Sequence, residues 1–141
     1  MFLGEYQHSL DAKGRVILPA RFRDQLEGGG FIAKGDGCLF VYTPEEFEAV
    51  ATQMREQAKL NKTRREAART FFAGAIEIQP DKQGRVAIPQ HLREYAHFDR
   101  DVTVAGVFSR IEIWDSNAWR DRERAGDEAL SDTEELPDIG I

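Results

Sequence analysis

Cysteine is nearly absent from the 141-residue chain, which has Cys38 alone. One thiol cannot form an intramolecular disulfide and offers no thiolate cluster to a structural zinc ion. His8, His91 and His97 are the three histidines, and they stand at no recognisable metal-ligand spacing. Neither a metal nor a cofactor is expected. No uninterrupted apolar run approaches the ~18 residues that a spanning helix needs, so no membrane segment is expected either. The opening Met1-Phe2-Leu3-Gly4-Glu5 does not lead from a basic segment into an apolar stretch, as a secretory or transit peptide would. These absences together point to the cytoplasm.

Positive charge is also in short supply, with a formal net charge of -6. The imbalance is confined to the end of the chain. Residues 126–141 carry Asp127, Glu128, Asp132, Glu134, Glu135 and Asp138 and no Lys or Arg. Without them the body is neutral, so long-range steering toward a polyanion is weak and any such affinity must come from locally arranged cations.

The strongest positive signal is internal repetition. Asp11-Ala-Lys-Gly-Arg-Val-Ile-Leu-Pro19 returns 70 positions later as Asp81-Lys-Gln-Gly-Arg-Val-Ala-Ile-Pro89. Gly4 and Tyr6 match Gly74 and Ile76 upstream, while Phe22, Arg23 and Leu26 match Leu92, Arg93 and Ala96 downstream. After a two-residue shift, Leu39-Phe-Val-Tyr42 matches Ile111-Glu-Ile-Trp114, and Phe47 matches Trp119.

Within one copy, Tyr6, His8 and Leu10 alternate with polar residues as a strand, Asp11 to Gly14 interrupts, and Val16 to Leu18 resumes extended character. Pro19 suits the start of a short helix whose Phe22 and Leu26 share one face, and which stops at Gly28-Gly-Gly30. The glycine run lacks the Lys-Ser/Thr of a phosphate-binding loop. Asp36-Gly37 then reads as a hairpin turn between two β-rich runs. Thr43-Pro44-Glu45-Glu46 begins a longer helix with a capping threonine and a proline at its first position. The second copy has a helix from Ser116 to about Glu128, with Trp119 as its main anchor. The resulting division is a first module over 1–60 with a helix at 44–59, a connecting helix over 61–73, a second module over 74–126, and an acidic tail over 127–141 expected to be disordered. The two modules should pack about an internal pseudo-twofold axis.

Inside each Asp-x-x-Gly-Arg element, Gly14 and Gly84 can adopt backbone conformations closed to other residues, and Asp11 and Asp81 can accept backbone N–H bonds. Arg15 and Arg85 are then projected from a fixed turn, with a planar fork of donors suited to phosphate oxygens or the guanine edge. The alternative is that each Asp pairs with its Arg merely to brace the turn. The two alternatives are compatible. An enzyme would need a nucleophile with a base and an orienting group, and neither copy supplies one. A scaffold that binds protein and not DNA is the remaining alternative.

With these residues in place, the chain resembles the MraZ family, whose tandem modules belong to the AbrB-like group of transcriptional regulators. The resemblance covers nearly the whole chain. It rests on Met1-Phe-Leu-Gly-Glu-Tyr6, on the elements Asp11-Ala-Lys-Gly-Arg15 and Asp81-Lys-Gln-Gly-Arg85, and on their spacing. It implies an α+β fold, a duplicated AbrB-like swapped-hairpin (double-split) β-barrel with peripheral helices. It also implies a nucleoid-associated, sequence-specific DNA-binding regulator, a repressor acting on short direct repeats in the promoter of its own division and cell-wall gene cluster. The implied partners are double-stranded DNA and further copies of the chain in a ring, with no small-molecule substrate. DNA contact would fall to Arg15 and Arg85 with Lys13 and Lys82 beside them, on turns shaped by Asp11, Gly14, Asp81 and Gly84. Gln83 stands where the first element has Lys13, so the second element is expected to be the less cationic.

A second basic cluster, Lys59, Lys62, Arg64, Arg65 and Arg69 against Glu66, reads as a solvated helix face opposite Phe71 and Phe72, or as a contact for the acidic tail.

Overall fold

The computed structural model describes residues 1–132 and 134–140. Strand β1 (Phe2–Ser9) is followed by the three-residue β2 (Arg15–Ile17) and the short helix α1 (Ala20–Gln25). The hairpin β3 (Gly30–Lys34) and β4 (Leu39–Tyr42) leads to α2 (Pro44–Ala58) and α3 (Lys62–Gly74). The second half repeats the order with β5 (Ile76–Ile78), β6 (Arg85–Ala87), α4 (Gln90–Tyr95), β7 (Asp101–Phe108), β8 (Ile111–Asp115) and α5 (Ser116–Ser131). Over the described residues the fold is α+β with antiparallel strand pairing throughout and five helices.

The two halves are interleaved. One six-stranded sheet runs β1-β7-β8-β4-β3-β5, and β2 pairs with β6 in a separate two-stranded ribbon. The first strand of each half therefore pairs with the third strand of the other, β1 with β7 and β5 with β3. The register itself carries the pseudo-twofold. Phe40 faces Glu112 with Leu39 opposite Ile113 and Val41 opposite Ile111, and Val16 faces Val86 with Arg15 opposite Ala87 and Ile17 opposite Arg85. Exchanging the halves maps each set of pairs onto itself, so one axis passes through the centre of the sheet and the centre of the ribbon.

The main core lies between sheet and ribbon. Val16, Leu18, Phe22 and Leu26 from the first half meet Val86, Ile88, Leu92 and Ala96 from the second, with Ile32, Leu39, Val41, Val102, Val104, Ile111 and Ile113 from the sheet. Phe22 packs edge-on against Phe2 at 5.3 Å and Tyr6 at 5.4 Å. A second cluster seats the α2–α3 pair on the sheet, with Phe47 stacked on Phe31 at 4.3 Å and Phe71 buried against Ala33 and Tyr42. Helix α2 starts as its sequence dictates, with Thr43 Oγ1 accepting the Glu46 N–H and Pro44 at the first turn. Asn61 Oδ1 caps α3 from the Arg64 N–H at 2.9 Å.

Two expectations are corrected. The sheet does not close into a barrel by hydrogen bonding: its ladder ends at β1 and β5, and the ribbon stands apart. The ribbon strands are three residues long. Each ends just before Pro19 or Pro89, which have no N–H to extend a ladder. The acidic segment is structured further than expected, because α5 continues past about Glu128 to Ser131. Gly126 in its last third costs about 1 kcal/mol relative to alanine, and the straight-chain residues around it sustain the helix. Thr133 and Ile141 of that tail lie outside the described residues.

Candidate nucleic-acid interface

Side chains alternate across a strand, so the ribbon has one face toward the core and one toward solvent. Val16 and Val86 take the inner face and are 0% and 2% exposed. Arg15, Ile17, Arg85 and Ala87 share the outer face, with Ile17 45% exposed between the two arginines. The pseudo-twofold thus brings both repeated arginines onto one surface.

Each arginine is held by its turn. Asp11 Oδ1 accepts the backbone N–H groups of Lys13 and Arg15, both at 2.9 Å, and Oδ2 accepts Arg15 Nε–H at 2.7 Å. Asp81 repeats the pattern with the Gln83 N–H at 2.9 Å, the Arg85 N–H at 2.8 Å and Arg85 Nε–H at 2.7 Å. Backbone bonds close both turns, Asp11 N–H to Arg15 O and Asp81 N–H to Arg85 O, each at 3.0 Å. The turns are also tied to each other, since Leu18 donates to Gly84 O at 2.9 Å and Ile88 to Gly14 O at 3.0 Å. The Arg15 backbone N–H, then its guanidinium and the Lys13 N–H, hold the Asp11 carboxyl below the usual aspartate range, and the Arg85 and Gln83 groups do the same to Asp81.

Bracing and presentation therefore coexist. Only Nε of Arg15 and Arg85 is bonded among the described residues, and the Nη groups that remain can donate in parallel to a phosphate or to guanine O6 and N7. Lys13 and Lys82 are exposed on the two turns.

Gly14 and Gly84 have φ of +74 and +80, the left-handed region that favours glycine. A second reason for glycine lies across the axis. A Cβ on Gly14 would overlap Arg93 Nη1, and a Cβ on Gly84 would come within 2.7 Å of Arg23 Cζ. Each guanidinium rests on the turn of the opposite repeat. The sequence shows Arg23 and Arg93 as matched repeat positions, but it gives no sign that they reach the other repeat's glycine. Arg23 Nε is enclosed with no hydrogen-bond partner among the described residues. Three cations thus belong to each turn: Lys13, Arg15 and Arg93 at Asp11, and Lys82, Arg85 and Arg23 at Asp81. The second element is accordingly no less cationic than the first, because Lys82 offsets Gln83.

The other basic cluster is partly neutralised within its helices, where Lys59 pairs with Glu56 at 3.2 Å and Arg69 pairs with Glu66. Among the described residues no group of His, Cys, Asp and Glu could hold a metal ion, and no helix is long and apolar enough to cross a membrane.

Comparison with known proteins agrees with this arrangement. The family model described as "MraZ protein, putative antitoxin-like" matches twice, over residues 1–70 and 71–136. The transcriptional regulator MraZ of Salinispora tropica is 50% identical over 136 residues, covering 96% of each chain. That of Acetivibrio thermocellus is 48% identical over 132 residues, 93% of this chain and 91% of its own. That of Clavibacter michiganensis subsp. michiganensis is 47% identical over 136 residues, 96% and 95% respectively. By its two matched repeats and its whole-length relatives, the chain belongs to the MraZ family.

Proposed function

We propose that this chain is a sequence-specific DNA-binding transcriptional regulator, a repressor that acts on short direct repeats in the promoter of its own division and cell-wall gene cluster. The observation that carries the reading is the ribbon: two Asp-braced arginines, Arg15 and Arg85, on one outer face with Ile17 and Ala87 between them. A two-stranded ribbon is of a size that the DNA major groove admits, and paired arginines suit guanine edges. Lys13 and Lys82 supply phosphate contacts at the ribbon's two ends. The names of the relatives, transcriptional regulators, support the same role.

The chain works as a ring of copies in the cytoplasm, on the nucleoid, and the modules are the swapped-hairpin units of the AbrB-like group. Support for the exchange comes from the crossed pairings β1–β7 and β5–β3. A ring answers the weak overall charge, because several linked contacts multiply a modest affinity. The test is binding of the full chain to duplex DNA from upstream of its own gene against a scrambled duplex, with Arg15→Ala and Arg85→Ala alongside. Selective binding lost in both variants, at unchanged assembly mass, is expected. Equal affinity for both duplexes would refute sequence reading.

A further inference from the structure

We propose that Arg23 and Arg93 are DNA-contacting residues in their own right, each completing the turn of the opposite repeat as a composite site for a backbone phosphate of duplex DNA. The inference rests on the reading that the ribbon faces DNA, and it assigns a different job to different arginines.

Arg15 and Arg85 each hold a carboxylate oxygen at 2.7 Å, so each of these pairs is close to neutral as seen by an approaching polyanion. Attraction for phosphate must come from cations that no carboxylate engages. Arg23 and Arg93 answer that description, having neither an ion-pair nor a hydrogen-bond partner among the described residues. Both are half-buried. A guanidinium held partly out of water without a counter-ion carries a desolvation cost that an incoming anion relieves.

Arg93 lies against Gly14, next to Arg15 in the chain, and Arg23 lies against Gly84, next to Arg85. Beside Gly14 an open cleft of about 1070 Å³ gives access to Arg93 and Arg100; Asp11, Glu94 and Asp99 also line it. Asp11 is engaged by Arg15, while Glu94, which accepts from the neutral Gln90 amide at 2.8 Å, and Asp99 keep their charge beside Arg93 and Arg100. The pseudo-twofold then sets two unpaired guanidinium groups about the ribbon, one per turn. Arg15 and Arg85 are left to face base edges while Arg23 and Arg93 hold the backbone.

The test is fluorescence anisotropy of the full chain with the upstream duplex over a series of salt concentrations. Wild type is compared with Arg93→Gln, Arg23→Gln, Arg93→Lys and Arg15→Ala, and assembly mass and melting temperature are recorded for each. Losing one phosphate contact lowers the slope of log K against log salt by about 1. Arg93→Gln and Arg23→Gln should each show this drop at unchanged mass and with a melting temperature lower by no more than a few degrees, from the lost packing on the glycine turn, and Arg93→Lys should restore the wild-type slope. Weaker binding with an unchanged slope would mean that the arginines act only through the shape of the turn, and would overturn the proposal; so would no change. If a Gln variant alters assembly, the folded Arg93→Lys decides: a wild-type slope supports the proposal and a reduced slope overturns it. Saturable millimolar binding of inorganic phosphate by the DNA-free protein would point to a free-anion pocket and overturn the backbone assignment. Failure of the underlying DNA reading looks different, since wild type would then bind neither the upstream duplex nor a scrambled one.

Discussion

The contact of Arg93 with Gly14 makes a quantitative prediction about two glycines. Gly14 and Gly37 have nearly the same φ, +74 and +76. A left-handed residue other than glycine costs roughly 1–2 kcal/mol, and the reduced entropy of the unfolded alanine variant returns roughly 0.4–1 kcal/mol. At Gly37 nothing else intervenes, because an added Cβ meets Trp114 Cζ3 at an ordinary 3.7 Å. Gly37→Ala should therefore cost about 1 kcal/mol. At Gly14 the Cβ would overlap Arg93 Nη1, the far end of a flexible side chain, which swings away and loses its packing. That adds on the order of 1 kcal/mol, so Gly14→Ala should cost about 2 kcal/mol. Urea unfolding at one fixed protein concentration reads both values as midpoint shifts at constant m. In an Arg93→Ala background the extra cost of Gly14→Ala should disappear while that of Gly37→Ala is unchanged. An undiminished cost in that background would show that the guanidinium does not fill the space above Gly14.

Other expectations follow from the same geometry. Val16 and Val86 face each other on the axis at 0% and 2% exposure; Val16→Ala and Val86→Ala should each cost about 1–3 kcal/mol, with a coupling above about 0.5 kcal/mol in a double-mutant cycle, and strict additivity would contradict the contact. Because the folded Asp11 and Asp81 carboxyls sit below the usual aspartate range, their contribution is full above the unfolded aspartate pKa and lost as pH falls through the folded value. Asp11→Asn should thus flatten the acid limb of a stability-against-pH curve without changing its shape above neutrality. Burial pushes the Cys38 thiol up to about 12, so native protein at pH 8 should resist a thiol reagent and react at the unfolding rate; immediate modification would contradict that burial.

The repeat was readable because Asp, Gly, Arg, Val and Pro return in one register between Asp11–Pro19 and Asp81–Pro89, and those residues serve the same turn twice. Helix α2 was readable because Thr43 and Pro44 are local signals whose partners lie within one turn. Strand exchange was not, because the alternation of Tyr6 and His8 says that a strand forms and nothing about whether β7 or its own half will pair with it. The same limit hid Arg23 and Arg93, whose neighbours belong to the other repeat. Glu112 is a comparable case: a charged residue in a strand reads as solvent-facing, yet it is buried and accepts from Arg110 and Trp114. Helix α5 was readable from Ser116 to about Glu128, but its last turn to Ser131 was not, because an acidic run suits a solvated end as well as a helix, whereas Glu, Ala and Leu are good helix formers.

DNA reading by the repeated arginines of the ribbon, as proposed, is tested most directly by the affinity of Arg15→Ala against wild type for the duplex upstream of the protein's own gene and for a scrambled one, at two salt concentrations. Salt-sensitive, selective binding by wild type, with selectivity lost in Arg15→Ala at unchanged assembly mass, is the expected result. A wild-type protein that assembles normally and ignores both duplexes would contradict it.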